Sequence, residues 1–164
     1  MASPLAWILA VWMASVSSVA TVGDSQDERA SLTGLGAISV VVESLPPIAA
    51  RGGLSTETLH KDVEQRLQRA GIAVTPDADA YLYVHVTISD PGPSLPVPYI
   101  VDVSLMQEVT LPRGLKTRAP FQCPTWGVNR LGQSDAARLG QLVTDRVQAF
   151  TDQFVVAYRS VNPK

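Results

Sequence analysis

The sequence predicts an α+β fold: a two-layer sandwich in which two helices cover one face of a mostly antiparallel sheet of about four strands, in the order β-α-β-β-β-α. Three observations predict it. Residues 55–70 and 134–158 repeat apolar side chains at helical spacing, on one side only. Residues 81–89 and 99–111 alternate apolar and polar side chains, the period of a half-buried strand. Residues 37–45 form a β-branched run ahead of the first helix. Elements with one apolar face each bury it by stacking in two layers.

The chain has 164 residues, enough for one domain and too few for two full ones. Its 17% of charged residues and net charge of −2 suit an ordinary folded protein and give no reason to expect a nucleic-acid partner. No charged side chain precedes Asp24, and residues 4–16 (PLAWILAVWMASV) form an apolar run of signal-peptide length. Ser18-Val19-Ala20 places small residues where a signal peptidase reads, so cleavage between Ala20 and Thr21 is expected, with a periplasmic or secreted product. The alternative is an N-terminal membrane anchor, for which residues 4–22 are just long enough. Ser15, Ser17, Ser18 and Thr21 make the second half of that span a poor one. Without the leader no transmembrane helix is expected.

Residues 21–35 are polar and acidic without apolar periodicity and read as a flexible spacer; 36–160 read as the single domain and 161–164 as a tail. In the first strand Ile38, Val40 and Val42 share a face, and Val41 on the other suggests an interior position in the sheet. Residues 46–53 read as a loop. Ser55 or Thr56 caps the first helix, Glu57 lies in its first turn, Leu59, Val63, Leu67 and Ala70 form its stripe, and Gly71 ends it. One strand–helix–strand crossover then makes the first two strands parallel or leaves one strand between them.

In the second strand Leu82, Val84, Val86 and Ile88 alternate with Tyr81, Tyr83, His85 and Thr87. In the third, Tyr99, Val101, Val103, Leu105 and Val109 alternate with Asp102, Ser104 and Glu108. A proline-rich connection joins the two as a hairpin. Matching apolar faces requires even residues of one strand to oppose odd residues of the other, which sets His85 against Asp102 or Ser104. A basic turn with Arg113, Lys116 and Arg118 follows, and 121–128 reads as a short edge strand because it holds Pro124. Ser134 is the expected cap of the last helix, whose stripe is Leu139, Leu142, Val143, Val147, Phe150, Phe154 and Tyr158.

Motifs for chemistry are sparse. Cys123 is the only thiol, so no internal disulfide or multi-cysteine zinc site exists. Its readings are a small apolar side chain beside Trp126, an intermolecular thiol, or a nucleophile. His85 is a candidate acid, base or ligand. His60 reads as exposed helix surface, and Asp77 and Asp79 as a turn rather than a cation site. Arg51-Gly52-Gly53 lacks the lysine and spacing of a phosphate loop, and no serine sits in a nucleophile elbow. No metal site and no cofactor are expected. The candidate binding surface is the polar face of the hairpin: Tyr81, Tyr83, His85, Asp102, Ser104 and Glu108.

The segments GLSTETLHKDVEQRLQRAGI and AYLYVHVTI resemble a helix-into-strand pattern of small exported bacterial proteins, and the closing FVVAYRSVNPK is similar to the end of some of them. A similar arrangement of sheet and two helices occurs in envelope assembly modules, such as the amino-terminal domain of the Tol translocation protein TolB and penicillin-binding-protein activator lipoproteins. That resemblance implies an exported interaction or assembly module whose partner is another envelope protein; it transfers no functional residue. The residues leave two other readings: a small thiol- or histidine-dependent enzyme, and a carrier of a small apolar ligand. Oligomeric state is not legible.

Overall fold

The structure, a computed structural model, describes residues 23–92, 95–110 and 121–163. The leader with its Ala20–Thr21 junction and the basic turn at Arg113, Lys116 and Arg118 lie outside the described residues. The elements are α1 (Gln26–Ala30), β1 (Ser39–Val42), α2 (Pro47–Arg51), α3 (Thr56–Arg69), β2 (Tyr81–Ile88), β3 (Val97–Val109), β4 (Phe121–Ser134) and α4 (Leu139–Val161). The expected α+β architecture is present. The sheet runs in the order β1-β2-β3-β4. β1 pairs parallel to β2, and β2, β3 and β4 follow as antiparallel neighbours.

The core lies between the sheet and the long helices. Leu82, Val84, Val101, Val103 and Leu105 of the sheet meet Leu59, Val63 and Leu67 of α3 and Val143, Val147 and Phe154 of α4, all buried. Each such side chain contributes roughly 1.5–3 kcal/mol on leaving water. Ser55 caps α3 by accepting from the Thr58 N–H at 3.2 Å. Gly71, with φ of 81°, supplies the left-handed turn that ends it.

Five expectations are corrected. The first is the spacer. Gln26–Ala30 form α1, headed by a capping box in which Ser25 and Glu28 each satisfy the other's backbone N–H. Leu32 is wholly buried behind it. A five-residue helix is too short to show apolar periodicity, so its only sequence mark is that Ser-x-x-Glu pair. The second is the loop at 46–53, which contains α2 with Pro47 in its first turn, where the missing N–H costs nothing.

The third is Val41, which is 40% exposed. β1 is an edge strand, and a β-branched residue there marks strand propensity rather than two-sided burial. The fourth is the length of β4, 14 residues rather than eight. Its second half carries the exposed Asn129, Arg130, Leu131 and Gln133, so it has no alternation to read. The fifth is Ser134, which closes β4 instead of capping α4. The N-cap of α4 is Arg138, which makes no side-chain cap, and Asp135 accepts the Arg138 N–H at 2.9 Å in the turn that leads into the helix.

Candidate functional site

With both long helices on one side, the other side of the sheet faces water. The hairpin register decides who stands there. β2 and β3 pair Tyr81 with Met106, Tyr83 with Ser104, and His85 with Asp102. Tyr81, Tyr83, His85, Asp102 and Ser104 therefore share the open face, and β4 extends that face with Asn129 opposite Asp102. Glu108 lies on the same side but six residues from Asp102 along β3, about 20 Å away at strand rise. It does not join the cluster.

The parallel pairing adds a residue that the hairpin rule does not reach. The Glu43 N–H donates to the Val84 carbonyl at 3.0 Å, which carries β1 one residue past Val42 and sets the Glu43 side chain beside β2. The Glu43 carboxylate accepts from the Tyr83 hydroxyl. It also accepts from His85 Nδ1 at 2.5 Å. A carboxylate only accepts, so Nδ1 bears the proton and Nε2 is left to meet the Thr87 hydroxyl at 2.9 Å. Tyr83 and His85 stack, their planes 10° apart and centroids 6.2 Å apart. Tyr81 stands edge-on to Tyr83 at 6.4 Å. On β3, Ser104 donates to Asp102 at 2.6 Å.

These contacts set the protonation. The Tyr83 hydroxyl, then His85, hold the Glu43 carboxyl below its usual range. The same bond works in reverse on the phenol: losing the proton it donates to Glu43 would set two negative oxygens together, and Tyr83 is pushed up to about 12. Side-chain exposures of 39% for His85 and 46% for Glu43 keep the group accessible to a partner.

The other candidates lie elsewhere. Cys123 is free and half-buried. It pairs with Gln107 beyond a β-bulge at Leu105/Met106, on the helix side of the sheet, and does not approach His85. His60 is half-buried rather than plain surface: its Nε2 lies 3.1 Å from the Val40 carbonyl, and its Nδ1 lies 3.6 Å from Glu64. Asp77 and Asp79 are exposed in a turn. No cluster of His, Cys, Asp and Glu among the described residues could hold a metal ion. Gly52 serves packing, since a Cβ on Gly140 would sit 1.9 Å from the Gly52 carbonyl oxygen. A cleft of about 490 Å³ lies at one end of the sheet, lined by Ile48, Arg51, Asp90, Leu95 and Asp135 among others, and none of the open-face candidates lines it.

No protein-family model and no curated protein matches the chain. Among solved structures it is similar to a minor lipoprotein from Acinetobacter baumannii at 17% identity, covering 73% of this chain and 92% of that one with a TM-score of 0.34. It is also similar to a PelC dodecamer from Paraburkholderia phytofirmans, at 12% identity, 75% and 85% coverage and a TM-score of 0.39. The likeness is one of fold outline alone. No helix among the described residues is long and apolar enough to cross a membrane.

Proposed function

We propose that the chain is a binding or assembly module of the bacterial envelope that docks another envelope protein on its open sheet face, around Tyr81, Tyr83, His85, Asp102 and Ser104. The observation that carries the reading is the interlocked set Glu43–Tyr83–His85–Thr87. Four side chains on an exposed face are held in fixed rotamers before any partner arrives, which lowers the ordering cost of binding. Aromatic rings bearing polar tips are the side chains that interfaces favour. The apolar leader supports export. Among its described residues the face holds the carboxylates of Glu43, Asp102 and Glu108 and no lysine or arginine, which suits a partner presenting basic groups.

A second reading has one observation in its favour. Glu43, His85 and Thr87 are connected in the order acid, imidazole, hydroxyl, the connectivity that activates a nucleophile. The setting argues against it. Thr87 is exposed near the end of β2, opposite Ile100 on the flat open face, and the cleft at the end of the sheet does not reach it, so nothing there holds a substrate against the hydroxyl. The carrier reading has less support still, because side chains fill the layer between sheet and helices.

Photo-crosslinkers placed at Tyr81 and at Val41, which is 40% exposed on the same face, with Val156 on the outer side of α4 as control, test the proposal in the native host. We expect discrete adducts from the two face positions, lost when Tyr83 and His85 are both replaced by serine in a chain that still folds. Adducts from Val156 alone, or face adducts indifferent to that replacement, would overturn it.

A further inference from the structure

A sheet edge presents a row of unpaired N–H and C=O groups, and folds usually block it. This one blocks part of each edge. Beside β1, the Ile38 N–H donates to the Ala73 carbonyl and the Thr75 N–H to the Ile38 carbonyl, both at 3.0 Å. The Val40 carbonyl accepts from His60 Nε2 at 3.1 Å. Beside β4, the Thr125 carbonyl accepts from the Ser31 hydroxyl at 3.2 Å. The Gly127 N–H donates to the Gly23 carbonyl at 3.0 Å.

The stretch 129–133 of β4 has no partner among the described residues on its outer edge. Because the Gly127 amide points outward, the alternation of an antiparallel ladder turns Asn129, Leu131 and Gln133 outward too, while the even-numbered residues bond to β3. No hydrogen bond joins the outward groups of these three to any described residue. Leu131 is 70% exposed, the most exposed large apolar side chain described.

We propose that a second copy of this chain pairs antiparallel along this stretch, about a two-fold axis at Leu131. The sequence is complementary to itself in that register. Leu131 meets Leu131 of the second copy, and the amide of Asn129 meets that of Gln133. Arg130 falls opposite Gly132, the residue over which the Tyr99 ring lies, so near that an added Cβ would come within 2.5 Å of it. The guanidinium thus meets no side chain on the facing residue and has an aromatic ring beside it. The Leu131–Leu131 pair and the two Asn129–Gln133 pairs join outward residues, so each exchanges two hydrogen bonds. A register shifted by two residues toward the start of β4 would set Arg130 against Arg130, like charges directly opposed. The shift the other way loses a pair and sets Leu131 against Gln133. The product is a continuous eight-stranded sheet with its helices on one side.

Sedimentation across a concentration series tests the association, and cysteine pairs test the register. In a Cys123→Ser background, Leu131→Cys places two thiols within disulfide reach, whereas the two copies of Asn129→Cys lie about 14 Å apart. We expect a monomer–dimer equilibrium and oxidative linkage at least about tenfold faster for Leu131→Cys than for Asn129→Cys. Leu131→Pro removes an outward N–H without touching the β3 ladder and should weaken the dimer about tenfold or more, the unfolding midpoint being unchanged. A monomer at every concentration, equal linkage at both positions, or crosslinks from Leu131 to a different protein without a self-adduct would overturn the proposal.

Discussion

Asp24 is the anchor that docks the N-terminal segment, and replacing it with alanine measures that docking. Its side chain is 5% exposed. It accepts four hydrogen bonds: two from Arg29 at 2.7 and 2.6 Å, one from Trp126 Nε1 at 2.8 Å and one from Gln153 at 2.9 Å. Arg29, 34% exposed, and Gln153 can turn to water after the change. Trp126, 1% exposed, cannot, and its indole N–H is stranded. A stranded buried donor costs about 1–3 kcal/mol, and the lost charged bonds, mostly re-solvated, add about 1 kcal/mol. The expected loss is about 2–4 kcal/mol, or roughly 8–15 °C in Tm for a domain of this size. Urea unfolding followed by far-ultraviolet circular dichroism reads it at pH 7. The pH dependence provides a second test. Burial pushes the Asp24 carboxyl up, but the bonds from Arg29, Gln153 and Trp126 outweigh it and hold the group below 3.8. Its folded value is depressed, so its ionic contribution is complete above about 3.8, the unfolded value, and is lost as pH falls through the folded one. The gap between wild type and Asp24→Ala should therefore be constant from pH 7 to 5 and narrow below about 3.8. A midpoint within about 0.5 kcal/mol of wild type at pH 7 would refute the clamp.

Other outcomes follow from the same contacts. Gly140→Ala adds helix propensity, yet its Cβ would lie 1.9 Å from the Gly52 carbonyl oxygen, so thermal melting should show a net loss of about 1–3 kcal/mol rather than a gain. Absorbance at 295 nm should show one tyrosine ionising near pH 12, and Glu43→Gln should return that phenol towards 10. Cys123→Ser should cost less than about 1 kcal/mol in urea, because a half-buried hydroxyl keeps contact with water.

What could be read from sequence divides along a physical line. A hairpin's two strands share one sheet and one buried face, so parity suffices. Every β2–β3 pair joins an odd to an even number, and His85 opposes Asp102. α3 was legible from its stripe and cap because both are local. The second half of β4 was not, since an exposed edge strand needs no apolar alternation. α1 left only a capping box, and its burial depends on Asp24 reaching Trp126 and Gln153, 102 and 129 residues away.

Glu43 shows most clearly where parity ends. A parallel pair is joined by a crossover, here through α2 and α3, and the crossover imposes no relation between the numbers of facing residues. The β1–β2 register follows instead from seating Ile38 and Val40 over α3, where His60 meets the Val40 carbonyl. That seating carries the chain onward until Glu43 stands beside His85, and the carboxylate then fixes the tautomer and orientation of the ring. The polar character of His85 and Tyr83 was visible in the alternation of one strand. The group that organises them comes from a strand about 40 residues earlier, placed by core packing on the opposite side of the sheet. The open face is therefore coupled to the core: a change under β1 that shifts its register moves Glu43 from His85 without altering any residue of the site.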